Sequence, residues 1–565
     1  MRGRYLGFAV GVILLAFLAR AWHGAVRGGL WRDEANAVFV VRESASLGEL
    51  FRNLRVESSP PLEPLIEYAV QRVLGADPLW VRALAVLFGT LTVAGIVGLG
   101  WRLFHPVCGI LAGLIAATSP YFIRLSGEMR SYALYGLLAV VHAALYVRYL
   151  ERRRLGDACL WAVLAAALAY THYYAFPIVL CAGVAALVFA RDRADVVRLG
   201  AAGAVFLAIY APWLPTFFHQ IGADLQAWYP PSTSAFGLFS VLKLPLGSTG
   251  AILLGSSLFV GAWTLRPIAP RGIAENPAHL RFWALLAISV VPAALAWVLQ
   301  VYIGAFEGRY LIAMAVPLLP AACLPWSRMF LGEPWGVALP RTGRPLTISG
   351  TTRQQVAWVL LAGAIACQHL ERAKWLRRSS PAAEFAALVE RHAQPDDLIW
   401  IFPAPYASSF NFHFPGPQAQ LAFPFRGRVT RVDWTALRDN EQDPQLIDAF
   451  LLELERHLER GGRVWGLFVE RLPLDSSWPF EEGPSPYDAS RLARAELQVH
   501  RRALRLLYTR GVVAGWWDRP HHDYHEGMTL ILFEPQEAAG TAGLADAKEP
   551  GAARDARGAG APRTD

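Results

Sequence analysis

The sequence predicts an α-helical polytopic membrane protein with a C-terminal α/β domain. Its 565 residues are 54% hydrophobic and have a mean hydropathy of +0.30, which is too apolar for a soluble protein of this length. About eleven apolar runs are predicted as membrane spans, of which the fifth is short. After Leu370 the composition changes, and helical and strand patterns begin to alternate. These three observations separate a membrane part from a globular part.

Each predicted span is an apolar run between more polar segments. The runs cover residues 5–22, 79–100, 107–123, 131–150, 158–172, 173–190, 199–218, 249–265, 282–302, 310–326 and 355–370. Arginine is more frequent in the loops that share a side with the N-terminus, for example at Arg152, Arg153 and Arg154. Because positively charged loops stay in the cytoplasm, the N-terminus is predicted inside and the C-terminal region outside.

We divide the chain into three parts, which are a transmembrane domain (1–375) with a first outer loop (23–78), an extracytoplasmic α/β domain (376–537) and a disordered tail (538–565). In the second part, strands are predicted at Leu398–Phe402, Val464–Val469 and Thr529–Phe533, between amphipathic helices. This alternation is typical of a short, largely parallel sheet. The tail is rich in Ala, Gly, Arg and Asp and has no periodicity, which favours disorder.

Several function classes are not supported by the sequence. The net charge of +8 comes with no basic, aromatic-interleaved helix outside the membrane segments, so no nucleic-acid partner is expected. No glycine-rich phosphate loop follows any predicted strand. The segment His521–Glu526 has the composition of a metal cluster, but its ligands are adjacent in sequence, and a surface loop is the favoured interpretation.

Two adjacent acids, Asp33 and Glu34, lie just beyond the first apolar run, in the segment Leu30-Trp31-Arg32-Asp33-Glu34-Ala35-Asn36. With the N-terminus inside, they emerge on the outer face beside the lipid headgroups. A polar site for a lipid-borne phosphate is one interpretation. The other is a solvated pair, or the start of a helix, where acids favour the positive end of the dipole.

Further polar residues are predicted at the outer ends of other spans. They occur in Glu128-Met129-Arg130-Ser131-Tyr132, in Thr171-His172-Tyr173-Tyr174 and in Glu307-Gly308-Arg309-Tyr310. Taken singly, the arginines fit snorkelling side chains and the tyrosines fit an interfacial aromatic belt. A gathering of ionisable groups at membrane helix ends is costly, so it points to a site that holds a polar substrate.

The order of these motifs resembles the GT-C glycosyltransferases. The similar features are the Asp-Glu pair in the first outer loop, the Pro60-Pro61-Leu62 start of an amphipathic segment, the acid-x-Arg-x-Tyr motif, Thr-His-Tyr-Tyr, and Arg-Tyr before a proline-containing span. Within the superfamily the chain is most similar to bacterial relatives of protein O-mannosyltransferases and of lipid A aminoarabinose transferases. The resemblance covers roughly residues 5–330.

The resemblance implies a hexosyl or pentosyl transferase of a bacterial cytoplasmic (inner) membrane. Such an enzyme would move a monosaccharide from a polyprenyl-phosphate carrier to an acceptor at the outer face, with inversion. The acceptor is open: a protein, lipid A, a glycan or another lipid all fit. The alternative is a transporter or flippase of lipid-linked glycans, for which repeats and broken helices would be expected. A membrane scaffold that serves the α/β domain is a third reading.

The resemblance also implies residue roles. Asp33 would deprotonate the acceptor or hold a divalent metal ion, and Glu34 would orient it. Glu128 matches a second acidic position and is a further metal candidate. The candidates for binding the donor and its phosphate are Arg130, Tyr132, His172, Tyr173, Arg309 and Tyr310. Ser59 stands where the family often has His or Lys, so Arg55 is a candidate to replace that phosphate contact.

Overall fold

The computed structural model describes residues 2–57, 59–75, 77–224, 240–264, 276–303, 307–332, 349–370, 372, 376–440, 443–469, 491–519 and 526–536. The predicted disordered tail (538–565) and most of the histidine-rich segment, residues 521–525, lie outside the described residues. The described residues form a helical part and a sheet domain.

The helical part contains seventeen α-helices within the described residues. In chain order they are α1 (Arg2–Val26), α2 (Arg32–Arg42), α3 (Leu47–Arg55), α4 (Leu62–Leu74), α5 (Pro78–Leu103), α6 (Pro106–Thr118), α7 (Pro120–Leu125), α8 (Tyr132–Arg152), α9 (Leu155–Ala169), α10 (Ala175–Val188), α11 (Arg193–Tyr210), α12 (Leu214–Asp224), α13 (Ser240–Thr264), α14 (Pro277–Ala287), α15 (Val290–Ile303), α16 (Ile312–Phe330) and α17 (Gly350–Leu370).

Six helical segments of the described chain are long and apolar enough to cross a membrane. They are Gly3–Val26, Leu79–Leu103, Tyr132–Arg152, Arg193–Ile221, Pro277–Leu299 and Gly308–Phe330. Four shorter apolar helices accompany them, at Pro106–Thr118, Leu155–Ala169, Ala175–Val188 and Gly250–Ala262. Each predicted span lies on one helix or on two consecutive helices. The count of about eleven crossings stays a prediction, because several of these helices are shorter than a bilayer requires.

Helix α16 lies at the centre of the bundle. Nearly all its side chains are buried, as expected for a helix that is apolar on every face. A 3₁₀ turn, Gly308–Leu311, precedes it and carries Arg309 and Tyr310. The central helix therefore presents these two residues at the end of the bundle.

The sheet domain contains helices α18 (Ala382–His392), α19 (Ala407–His413), α20 (Trp434–Asn440), α21 (Pro444–Glu459) and α22 (Arg491–Arg510). Its strands are β1 (Leu398–Phe402), β2 (Ala419–Ala422), β3 (Phe425–Arg426), β4 (Val464–Phe468), β5 (Gly511–Arg519) and β6 (Met528–Pro535). The order across the sheet is β3-β2-β1-β4-β6-β5. Strand β1 is buried along its whole length, because it is central in the sheet and apolar clusters lie on both sheet faces.

The prediction of a largely parallel sheet is wrong. Only β1 pairs in parallel, with β2 and β4, whereas β2–β3, β4–β6 and β5–β6 are antiparallel. The sequence analysis predicted no strand at β5, which pairs antiparallel with β6 and forms one edge of the sheet. Without that partner, β6 could not be distinguished from another parallel strand.

The sheet domain packs against segment 23–78, which follows the first predicted span. The N–H of Val432 donates to Oδ1 of Asn36 (3.0 Å), and the N–H of Arg32 donates to the Glu526 carboxylate (2.9 Å). The rings of Phe39 and Phe412 meet edge to face, with centroids 5.7 Å apart. Glu526 is therefore buried at this contact rather than exposed in the surface loop predicted for its segment.

A close crossing of α5 and α6 leads to the first prediction. A Cβ added at Gly109 would lie 2.2 Å from the Val97 carbonyl oxygen, which is backbone and cannot rotate away. Gly109→Leu is therefore expected to destabilise the protein by ~1–3 kcal/mol or more, measured by thermal unfolding in detergent. Gly98→Leu is the matched control, since no atom lies within 4 Å of its added Cβ. Equal stability of the two variants would contradict this crossing.

Candidate active site

The first turn of α2 carries Asp33. The helix starts after Trp31, whose N–H donates to the Glu34 carboxylate (3.3 Å), and the Glu526 carboxylate accepts from the next N–H, that of Arg32. Carboxylates at a helix N-terminus satisfy its free N–H groups and interact favourably with its dipole. The acids thus fix the position of the turn that presents Asp33.

Asp33 lies among three arginines. Its Oδ1 accepts from Nε of Arg32 at 2.9 Å, and its Oδ2 lies 3.4 Å from a terminal nitrogen of Arg309. Arg130 donates to its backbone oxygen at 3.4 Å. Burial by itself would raise the pKa of Asp33, but the three guanidiniums hold that pKa well below its usual range. The carboxylate is therefore ionised in the free protein.

Aromatic rings surround the Arg309 guanidinium. Its central carbon lies 5.2 Å from the ring centroid of Trp31, 5.9 Å from that of Tyr132 and 5.6 Å from that of Tyr310. At these distances the ring faces attract a cation. The rings hold the guanidinium at the bundle end while it remains 12% exposed.

His172 adjoins this aromatic group between α9 and α10. Its ring lies 4.9 Å from that of Tyr135 and 5.0 Å from that of Tyr310, centroid to centroid. Its Nδ1 accepts from the Tyr174 N–H at 3.2 Å. Burial first, and then the nearby arginines, lower the pKa of His172 to about 3, so the ring is neutral. A neutral imidazole can contact a phosphate only as a hydrogen-bond donor.

Glu34 and Glu128 form a different, fully buried ionic group. Arg27 lies 3.2 Å from Glu34 and 3.6 Å from Glu128, and Arg124 lies 2.8 Å from Glu128. The Met129 N–H donates to Glu34 at 2.9 Å. Since residues i and i+1 of a helix do not face each other, Glu34 points away from its neighbour Asp33. Its contacts join α2 to the segment that carries Arg130.

Tyr173 and Arg55 do not lie among the contacts of Arg309 described above. The Tyr173 hydroxyl donates to the side chain of Gln220 and accepts from Nε1 of Trp213 at 3.0 Å. Arg55 ends α3 and is exposed. The structure therefore brings Asp33, Arg130, Tyr132, His172, Arg309 and Tyr310 together and places these two residues elsewhere.

Three residues near Asp33 were not singled out from the sequence. Arg32 and Trp31 were visible inside the Asp-Glu motif, and an arginine beside an acid could have been considered as a phosphate ligand. Glu57 is buried, and the Asn36 side chain donates to both of its oxygens at 3.0 and 3.1 Å. Asn36 and Glu57 come into contact only when the loop folds, so their spacing in the sequence could not have predicted this contact.

The donor set does not fit the expected divalent metal ion. In the part of the chain that the structure describes, no three His, Cys, Asp or Glu residues come together in a metal-holding arrangement. Asp33 pairs with Arg32 and Arg309, and Glu128 pairs with Arg27 and Arg124. The metal ion stays a prediction of the sequence.

The second prediction tests whether Glu34 has a structural role and not a role in the reaction. Glu34→Ala removes one of the two carboxylates that pair with the buried Arg27 guanidinium. We therefore expect the free energy of unfolding to fall by ~3–5 kcal/mol. The control is Glu43→Ala, which removes a partly exposed ion pair with Arg431 and should cost ~0–1 kcal/mol. Thermal or denaturant unfolding in detergent measures both. A variant as stable as wild type would contradict the structural role of Glu34.

Comparisons with known proteins agree on the architecture. Residues 58–215 match the family model described as dolichyl-phosphate-mannose-protein mannosyltransferase. No curated protein matches the sequence significantly.

Two solved structures share the fold. ArnT from Cupriavidus metallidurans bound to undecaprenyl phosphate aligns with a TM-score of 0.51 at 15% identity, covering 82% of this chain and 93% of that chain. The apo structure of the same protein aligns with a TM-score of 0.50 at 14% identity, over the same shares. The chain therefore has the GT-C fold that its motifs predicted.

Proposed function

We propose that the protein is a glycosyltransferase that moves a monosaccharide from a polyprenyl-phosphate carrier to an acceptor at the outer face of the cytoplasmic membrane, with inversion. The observation that carries this proposal is the cluster of Asp33 with Arg32, Arg130 and Arg309 at one end of the helical bundle. The fold adds support, because ArnT, which has the same architecture, is described as bound to undecaprenyl phosphate.

The arginines suit the phosphate of the carrier. A guanidinium can offer two parallel N–H groups to two oxygens, so Arg309, which makes a single contact of 3.4 Å with Asp33, is suited to bind two oxygens of a phosphate. When the bond between the sugar and the phosphate breaks, negative charge grows on the phosphate oxygen. Arg309 and Arg130 would stabilise this charge most strongly in the transition state, which is how electrostatic catalysis lowers a barrier.

Asp33 would hold the acceptor. An ionised carboxylate accepts a hydrogen bond from a hydroxyl or amine and orients it toward the anomeric carbon. Inversion needs a single displacement, with the acceptor and the leaving phosphate on opposite faces of the sugar ring. A carboxylate beside the phosphate-binding arginines, on a separate element of the chain, is compatible with that arrangement.

The alternative, a transporter or flippase of lipid-linked glycans, is not favoured by the fold. A transporter would also be expected to carry charged groups near the membrane midplane. The charged groups around Asp33 instead lie on helix α2, on the 3₁₀ turn that precedes α16 and, for Arg130, just before α8.

The third prediction tests carrier binding. Arg309→Ala should weaken binding of undecaprenyl phosphate at least about 10-fold, since charge-assisted hydrogen bonds contribute ~1.5–3 kcal/mol. Arg309→Lys keeps the positive charge but lacks the forked guanidinium. Its affinity for undecaprenyl phosphate should therefore lie between those of wild type and Arg309→Ala. The control is Arg281→Ala, because Arg281 pairs with Glu151 at the end of α8 far from Tyr132. Tryptophan fluorescence in detergent or nanodiscs measures the affinity. Unchanged affinity in Arg309→Ala would remove this residue from the phosphate site.

The fourth prediction tests Asp33. Asp33→Asn should lower sugar transfer by about 10²-fold or more, the loss typical of removing one positioned polar group from a reaction site. Undecaprenyl phosphate should bind at least as tightly as to wild type, because the variant loses a competing negative charge beside Arg309. Transfer is assayed in liposomes with undecaprenyl phosphate linked to mannose, glucose or aminoarabinose. Undiminished transfer would exclude Asp33 from the mechanism.

A further inference from the structure

A second carboxylate lies one side chain away from Asp33. Asn36 is three residues beyond Asp33 on α2, so the two side chains are neighbours on one helix face. The Asn36 amide donates to both oxygens of Glu57 at 3.0 and 3.1 Å. Glu57 comes from the end of the α3 segment, just before the prolines that start α4. The loop thus folds back to bring Glu57 against Asn36, close enough for the charges of Asp33 and Arg130 to act on it.

Glu57 is held from two directions. Its side chain is fixed by Asn36, whose own Oδ1 accepts from the Val432 N–H of the sheet domain at 3.0 Å. Its backbone oxygen accepts from the side-chain amide of Gln220, which also donates to the Leu54 oxygen at 2.6 Å. Only 7% of Glu57 is exposed. Groups fixed in this way need little reorganisation during a reaction.

The two carboxylates differ in basicity. Burial raises the pKa of Asp33, but its three arginines lower it further, so Asp33 is a weak proton acceptor. Burial raises the pKa of Glu57 to about 7, against the Asn36 hydrogen bond and the charges of Arg130 and Arg431; the Asp33 charge raises it further. A general base works best when its pKa lies near the working pH.

We propose that Glu57, oriented by Asn36, takes the proton from the acceptor while Asp33 holds the acceptor beside the arginines. This inference rests on the proposed glycosyl transfer. The acceptor's O–H or N–H bond breaks, and its proton moves to a Glu57 oxygen. The freed electron pair forms the bond to the anomeric carbon. The bond from that carbon to the phosphate oxygen breaks, and its electron pair stays on the phosphate between Arg130 and Arg309. No further reactant is needed.

The pH profile of transfer tests this inference on the full-length protein in liposomes, with the undecaprenyl-phosphate sugars named above. For wild type, turnover should fall about tenfold per pH unit below the pKa of Glu57, because only the ionised form accepts a proton. Glu57→Gln should lose about 10²- to 10⁴-fold in turnover and lose this acidic limb. Asn36→Ala should move the limb to higher pH, because it removes a bond that favours the carboxylate. Glu49→Gln, on α3 of the same loop, is the control and should keep the wild-type profile.

A donor-independent readout accompanies the kinetics. Infrared difference spectra between pH 5.5 and 8.5 should show carboxyl absorption that titrates near neutrality in wild type and is weaker by one group in Glu57→Gln. Buried Glu526, whose pKa burial raises to about 8, contributes equally to the spectra of both proteins. An unchanged intensity of this absorption, or Glu57→Gln with wild-type turnover and acidic limb, would overturn the role of Glu57 and leave the glycosyltransferase proposal standing. Wild-type protein that transfers no sugar from any of these donors would overturn the proposed function, and with it the role of Glu57. Undecaprenyl phosphate binding by Glu57→Gln confirms that the variant is folded.

Discussion

The ion pair between Asp33 and Arg309 joins segment 23–78 to the central helix of the bundle. Arg309 stands on the turn before α16, whose side chains are almost all buried, and Asp33 stands on the first turn of α2. Each charge is largely removed from water, so each needs a partner of opposite sign. The pair therefore fixes the loop over the bundle end, and it keeps both groups ionised where a phosphate and an acceptor could replace the contact.

A second ionic layer, formed by Arg27, Glu34, Glu128 and Arg124, supports this pair. It has no exposed carboxylate, and its hydrogen bonds extend to the backbone of Met129, next to Arg130. Two acids that are adjacent in sequence thus belong to separate layers, because successive residues on a helix point in different directions. The layer around Glu34 has the properties of a structural support, and the layer around Asp33 has those of a binding site.

The sheet domain takes part in the same arrangement. Its Glu526 accepts from the first N–H of α2, and its Val432 fixes the amide of Asn36. Tyr406 stacks on Arg32, with the guanidinium carbon 5.3 Å from the ring centroid. Residues nearly 500 positions apart in the chain therefore determine the geometry around Asp33. The sheet domain therefore fixes the position of α2, a role that could not be inferred from the fold of the domain alone.

The sequence by itself determined the fold class, the place of the apolar helices and most of the cluster around Asp33. Apolar runs of membrane length and polar residues at their ends are local patterns, which is why they can be recognised in the sequence. Tertiary structure alone decided which acids face the arginines, that β6 pairs antiparallel with β4, and that Glu57 meets Asn36. These outcomes depend on contacts between distant segments, and burial and nearby charge set the protonation of each carboxylate. The spacing of residues in the sequence gives no information about these long-range contacts or about the protonation of the carboxylates.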